Sequence, residues 1–236
     1  FYEMSLPMGL DLNSSISQDR KSTKISATLK DMSSNEFKEF NNEVLGYLRQ
    51  NNLENMISEP SSFRVIFTYM VEAIVNSLLY GLFIGILLIT LIIGLFFRSY
   101  LLPALSIFPN ILPIGMGFGL WGLFVGDVGF MVAVGMGSTL GVIVDFTVHF
   151  LSKYELARKE FKKSVEESVI YSFETVGFAL IIMTVVLALG FSVLNLVTFI
   201  PIQDFAKFSV ICFIGGLIIN FLFLPNLLMK FDKRKF

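Results

Sequence analysis

The sequence is poor in the residues that build disulfides and metal sites. It contains one cysteine, Cys212, and one histidine, His149, among 236 residues. A single cysteine excludes an internal disulfide, and zinc needs three or four protein ligands, so neither a disulfide scaffold nor a metal site is expected. Cys212 lies in an apolar run and is interpreted as a small residue of a membrane helix.

Motifs for nucleotide chemistry are also missing. The sequence shows no phosphate-binding glycine loop, no ATP motif and no nucleophile-base pair, so it favours no enzyme class, and we expect no cofactor. The net charge of -1 gives no general basic surface, which argues against a nucleic-acid partner. The chain opens at Phe1 without an initiator methionine or a visible targeting signal, so we expect it to be part of a longer protein.

Charge becomes scarce beyond residue 73. Seventeen of the charged residues precede position 74, and most of the others lie in short connecting loops. Between these loops run uncharged stretches of about 22 to 25 residues, and a helix needs roughly 20 to span a bilayer. The sequence therefore predicts a polytopic helical membrane domain over 74–236 with five spans. These spans are 74–97, 101–125, 130–151, 176–196 and 208–229.

Residues 1–73 are predicted to form a small, partial α+β subdomain in front of the membrane domain. Residues 1–22 show no sustained period and indicate irregular structure. Thr23–Lys30 alternates polar and apolar residues, as a half-buried strand does. Leu53–Ile57 indicates a second short strand, which would complete a β-α-β unit around an intervening helix.

Two capping-box patterns mark predicted helix starts. Ser33 is followed by Glu36 before an amphipathic stretch, and Ser164 is followed by Glu167 in the connector before the fourth span. A further helix is predicted from about Ser62 and continues into the membrane.

The second predicted span contains an unusual density of helix-breaking residues. Pro109 and Pro113 lie in its interior and are followed by four glycines. Each interior proline removes a backbone hydrogen bond, and glycines admit a neighbouring backbone. The span is therefore predicted to be kinked and closely packed. Ordinary packing and a gating hinge at Pro109 and Pro113 both fit the pattern.

A carboxylate and the only histidine lie inside the third predicted span. Asp145 and His149 are four residues apart and share one face of a helix, together with Gly137 and Gly141. An ionised carboxylate near mid-membrane costs a few kcal/mol on insertion scales, so such acids commonly carry protons or ions. Asp145 is interpreted as a proton or ion relay with the two glycines as helix-packing residues beside it. The alternative is a carboxylate held by hydroxyl groups to fix helix packing.

Two further residues are candidates for the same relay. His149 could pass protons between interior water and Asp145, or could hydrogen-bond to a neighbouring helix at the interface, and both interpretations stay open. Thr184 in the fourth span offers a hydroxyl, although an isolated threonine in a membrane helix usually bonds to its own carbonyls.

Positive charge predicts the orientation in the membrane. Arg98, the cluster at 153–163 and the tail at 230–235 fall on one side of a five-span bundle. The positive-inside rule makes this side and the C-terminus cytoplasmic and places residues 1–73 outside the cytoplasm.

Several motifs occur in an order that resembles a known transporter family. They are LPMGLDLN (Leu6–Asn13), FFRSYLLPALSIFPNILPIG (Phe96–Gly115), GVIVDFTVHF (Gly141–Phe150), ETVGFALIIMT (Glu174–Thr184) and ALGF (Ala188–Phe191). Together they resemble the C-terminal half of a resistance-nodulation-division (RND) superfamily transporter, in particular the MMPL-type predicted exporters of bacteria. The G-x-x-x-D-F-x-x-H pattern is also similar to the corresponding helix of Patched, Dispatched and Niemann-Pick type C sterol proteins.

The resemblance implies a protomer of twelve membrane helices in two pseudo-repeats, of which these five would be helices eight to twelve. It implies proton-driven export of lipids or other hydrophobic molecules across the bacterial inner membrane, with Asp145 at the relay position and Thr184 at a threonine often found on the next helix. Many MMPL-type members have an Asp-Tyr pair where this sequence has Phe146, so a tyrosine-assisted relay is not carried over.

The resemblance also implies partners. These are membrane lipids, a hydrophobic cargo and the N-terminal half of the transporter in the same or a separate chain, with a homo-oligomer or a periplasmic accessory protein as further candidates. Two alternative functions stay open: an accessory of protein translocation like SecD and SecF, and a non-transporting lipid or sterol sensor.

Overall fold

A computed structural model describes residues 16–234 except 18, 20, 31, 54, 55, 59 and 127. The Leu6–Asn13 motif and most of the predicted irregular segment 1–22 lie outside the described residues. The chain divides into two compact units, Phe1–Val65 and Ile66–Phe236.

The first unit contains helix α1 (Ser34–Gln50). Its predicted capping box is confirmed: the Glu36 amide donates to Ser33 Oγ at 3.3 Å, and the Ser33 amide donates to the Glu36 carboxylate at 2.7 Å. The helix buries Phe37, whose ring lies 5.5 Å from the guanidinium of Arg64. The predicted amphipathic helix is thus present, and its start is fixed by the predicted residues.

The predicted α+β architecture of this unit is not seen among the residues that the structure describes. Thr23–Lys30 forms no strand, and only an isolated antiparallel bridge joins Ile16 to Thr23. A strand needs a neighbour to pair its backbone groups, and none lies beside this segment within the described residues; Ile25 is 80% exposed. At Leu53–Ile57 the amides of Met56 and Ile57 both donate to the Leu53 carbonyl, which makes a turn.

The predicted number of helical stretches long and apolar enough to span a membrane is confirmed. Among the described residues, five helical stretches are long and apolar enough to cross a membrane. They are α2 (Phe63–Phe97), α3 (Leu101–Phe124), α4 (Phe130–Lys159), the continuous stretch Val165–Leu196, and α7 (Ile200–Phe231). The fourth stretch consists of α5 (Val165–Ser172), a π-helical turn (Phe173–Gly177), α6 (Phe178–Val193) and a 3-10 turn (Leu194–Leu196).

Helix α7 is the centre of this bundle, because it packs against α3, α4 and α6. Two glycines set how closely the helices approach. A Cβ atom on Gly117 of α3 would lie 2.6 Å from the sulfur of Cys212, and one on Gly216 of α7 would lie 3.1 Å from Ile143. Small residues at such crossings let membrane helices pack by van der Waals contact. Cys212 is fully buried at the first crossing, as its interpretation as a small helix residue requires.

The basic segments meet at one end of the bundle, which we call the basic end: the C-termini of α2, α4 and α7 with Arg98. Here Lys159 Nζ donates to the Phe97 carbonyl at 2.9 Å and pairs with Glu155 at 2.9 Å. The second predicted capping box, Ser164 with Glu167, starts α5 at the same end.

The tail after α7 is held at the basic end by buried charges. Arg234 binds the Glu155 carboxylate with two hydrogen bonds of 3.0 and 2.9 Å, and its Nε donates to Asp232 at 2.9 Å. The Tyr154 hydroxyl donates to Asp232 at 2.6 Å. Burial acts to raise the pKa of Asp232, but the hydrogen bonds from Arg234 and Tyr154 outweigh it and hold the pKa at about 2. Burial likewise acts to lower the pKa of Arg234, and its bonds to the two carboxylates raise it.

Candidate functional site

Asp145 and His149 lie on one exposed face of α4. They follow Gly137 and Gly141 along this face, which we call the open face of α4, and all four residues are exposed. A Cβ atom built on either glycine would meet nothing within 4 Å. Both glycines therefore leave open space in front of this face among the described residues.

The opposite face of α4 is fully packed. Ile143, Phe146, Thr147 and Phe150 are each 0% exposed, and Phe146 packs in a cluster with residues of the fourth stretch. The aromatic residue that follows Asp145 therefore belongs to the bundle core. The 3.6-residue period of the helix then directs Asp145 away from the core.

Asp145 makes no hydrogen bond or ion pair with any described residue, and the same holds for His149. Asp145 lies near the middle of α4, inside an apolar stretch long enough to span a membrane. A carboxylate at this depth is costly in hydrocarbon and almost always faces a protein interior or water. The open face thus has the composition of a surface that other protein or a water-filled path covers in the membrane.

A family model described as "MMPL family" matches residues 11–229 of the chain. The chain belongs to the MMPL family. A comparison with curated proteins found no match. Membership supports a transporter-type function for this multi-pass membrane chain, and the matched range covers α1, the open face, the first four stretches and α7 up to residue 229.

Thr184 of this MMPL chain makes no hydrogen bond to Asp145. It lies on α6, is 3% exposed, and donates its hydroxyl to the Leu180 carbonyl at 2.9 Å. Its hydroxyl is engaged within its own helix, and its predicted part in a relay stays a prediction.

The two interior prolines of α3 face the bundle. Pro109 and Pro113 are buried, and α3 continues as one helix through both of them. Of the four glycines that follow, Gly117 is in close contact with a neighbouring helix, whereas a Cβ on Gly115, Gly119 or Gly122 would meet nothing within 4 Å. Among these four glycines the predicted close packing is thus seen at Gly117 alone, and a hinge at the prolines stays a prediction.

A buried polar junction joins three membrane helices and was not predicted. Thr147 Oγ1 lies 2.7 Å from Asn110 Oδ1 and 2.9 Å from Asn220 Oδ1, so α4 is connected to α3 and α7. Asn220 is held in place because its amide donates to the Gly216 carbonyl at 3.0 Å. All three polar side chains are at most 2% exposed. Polar residues inside apolar spans commonly join helices in this way, and the asparagines were the sequence signal that could have revealed the junction.

The junction fixes the rotation of α4 about its axis. Thr147 lies two residues beyond Asp145, and two residues correspond to about 200° of rotation in a helix of 3.6 residues per turn. Holding Thr147 against α3 and α7 therefore keeps Asp145 on the open face.

Proposed function

We propose that this chain is part of a proton-driven exporter of lipids or other hydrophobic molecules, with Asp145 as the intramembrane proton carrier. The observation that supports the proposal is the open face: an acid in mid-span without a partner among the described residues, beside two glycines with free space in front of them. Membership of the MMPL family supports the transporter class.

The open face suggests what covers it. We infer that the N-terminal half of the transporter, in the same or a separate chain, packs against Gly137 and Gly141 and encloses Asp145. Small residues allow close approach of two membrane helices, and enclosure replaces contact between the carboxylate and lipid by contact with protein or water. His149 lies one turn nearer the basic end and is a candidate for passing protons to and from Asp145.

Protonation can then be coupled to movement. When Asp145 is charged, the open face needs polar surroundings; when it is neutral, the same face tolerates apolar contact, so the favoured packing of the two halves differs between the states. The junction at Thr147 holds α3, α4 and α7 together, so they would move as one unit against the partner half.

The basic end supports a cytoplasmic orientation. Contacts bring Lys159 to the end of α2 and Arg234 to Glu155 of α4, so three basic segments lie on one side of the bundle. By the positive-inside rule we infer that this side and the C-terminus are cytoplasmic, that residues 1–73 are extracytoplasmic, and that the protein resides in the inner membrane.

The test is transport by Asp145→Asn in proteoliposomes under an imposed pH gradient. The full-length protein is reconstituted with an NBD-labelled phospholipid, and movement across the bilayer is followed by its access to dithionite. We expect gradient-driven movement with the original residue and none with Asp145→Asn, because the neutral side chain cannot change its charge. Asp204→Asn is the matched control, since it removes an acid near the start of α7 and should leave movement unchanged.

A cargo-independent measurement accompanies the transport test. Difference infrared spectroscopy across a pH titration should reveal a protonated carboxyl band that is missing in Asp145→Asn. Equal gradient-driven movement with both residues would contradict the proposal. A carboxyl group that never changes its titration state would do the same and would favour a lipid sensor.

A further inference from the structure

A second feature of the bundle is a groove between α2 and α3 at the basic end, and none of its described lining residues belongs to α4. Its volume is about 630 Å³, within the range of about 300–1,000 Å³ typical of small-molecule sites. The wall is apolar and includes Leu87, Leu91 and Ala104, and its mouth carries Arg98 and Tyr100.

The spacing of α2 and α3 beside the groove is set by a small residue, Gly94, and a rigid one, Pro103. A Cβ atom on Gly94 of α2 would lie 3.4 Å from Pro103 Cγ of α3, so the helices touch at this point. Along the wall, Leu87 and Arg98 are separated by about 16 Å at about 1.5 Å of rise per residue. This length corresponds to one leaflet of a hydrocarbon core that is roughly 30 Å thick.

Arg98 at the mouth has no structural role within the described residues. It is exposed, makes no hydrogen bond or ion pair there, and no acidic residue is among the described residues that line the groove. Its backbone is in the left-handed region with φ of 49°, directly after the end of α2, where glycine is the usual residue. Neither backbone preference nor an internal contact therefore accounts for an arginine here.

We propose that this groove binds one anionic phospholipid from the leaflet at the basic end, with its phosphate on Arg98 and an acyl chain along the apolar wall. The charge at the mouth complements a phosphate, and guanidinium groups bind phosphate oxygens through paired hydrogen bonds. The exposed ring of Tyr100, at 98% exposure, is of the type that lies at the headgroup level of a bilayer. The apolar wall of one-leaflet length fits the chain. This site does not depend on proton coupling or on transport.

The chain offers a fluorescent reporter for this site. Trp121 is the only tryptophan of the 236 residues, so replacing it, together with any tryptophan of the full-length protein outside these residues, with phenylalanine leaves a silent background. In that background, Leu95→Trp places the reporter in the groove, where residue 95 is 71% exposed. Ile92→Trp is the matched control, because residue 92 is 60% exposed on the same helix and does not line the groove.

The measurement is quenching of each reporter in the full-length protein by brominated phosphatidylglycerol and by brominated phosphatidylcholine. We expect the groove reporter to favour phosphatidylglycerol about fivefold, the ratio that corresponds to about 1 kcal/mol for one basic residue near a membrane surface. The control reporter should show no preference. Arg98→Gln should abolish the preference, Arg98→Lys should keep part of it, and Lys230→Gln, which removes an exposed charge outside the groove, should leave it unchanged.

Three results would overturn the proposal. Equal quenching of the groove reporter by both lipids would mean that Arg98 selects no headgroup. A preference that persists in Arg98→Gln would assign the selectivity to the general surface charge. An absence of quenching by either lipid at Leu95→Trp, with normal quenching at Ile92→Trp, would show that a protein segment occupies the groove.

Discussion

The buried charges at the basic end predict a large loss of stability for Asp232→Asn. The side chain of Asp232 is fully buried and accepts hydrogen bonds from Tyr154 and from Arg234, whose own side chain is 24% exposed. Asparagine has nearly the same shape and keeps an oxygen for the tyrosine hydroxyl. The substitution therefore removes mainly the negative charge and leaves Arg234 with the Glu155 carboxylate as its acidic partner.

The expected magnitude follows from the burial of both partners. Removing one partner of a buried ion pair typically costs about 3–5 kcal/mol, and the partial exposure of Arg234 lets water compensate in part, so we expect about 3 kcal/mol. For a chain of this size each kcal/mol lowers the melting temperature by about 2–4 °C, which gives a decrease of about 6–12 °C.

Cys212 provides the assay for this prediction. Its thiol is fully buried in the middle of α7 and becomes reactive to a maleimide dye when the protein unfolds on heating in detergent. Asp204→Asn is the matched control: its partner Lys207 lies 3.9 Å away with a side chain that is 50% exposed. An exposed pair of this kind contributes less than about 1 kcal/mol. Equal melting temperatures for the two variants would refute the claim that the tail is held to α4 by buried charge.

Two further predictions use the same protein. Because the pKa of Asp232 is about 2, below its ordinary value of 3.8, its contribution to stability should be complete above about pH 4 and be lost as the pH falls toward 2. Asp232→Asn should lack this acid-dependent loss, and an identical pH profile would contradict the assignment. Gly117→Ala should destabilise the bundle by about 1–3 kcal/mol through contact with Cys212, whereas Gly119→Ala, with open space around it, should be neutral. Circular dichroism on heating gives the melting temperatures for both predictions. Equal melting temperatures of Gly117→Ala and Gly119→Ala would argue against the close crossing at Gly117.

Sequence patterns predicted the elements whose causes are local. Apolar length predicted the five spanning stretches, because a bilayer sets the number of residues that a helix needs. The capping boxes predicted the starts of α1 and α5, because the hydrogen bonds involved join residues only three apart. Alternation at Thr23–Lys30 was a poorer guide, because a strand also needs a partner that a local pattern cannot supply.

Pairings between distant residues were beyond the reach of local patterns. Nothing in the spacing of Asn110, Thr147 and Asn220 indicates that they meet, since their contact depends on how three helices cross. The sequence shows that Asp232 lies in a basic tail. Its buried pairing with Arg234 and Tyr154 depends on α7 ending beside the C-terminal end of α4, which no local pattern indicates.

The sequence by itself determined that this is a membrane protein of five spanning stretches with a single acid inside the apolar part of α4, because hydrophobic length and charge are properties of the residues alone. Only the tertiary structure decided which way that acid points. Phe146 and Thr147 pack against the other helices and bury the opposite face of α4. Asp145 therefore lies on the face that the described residues leave exposed.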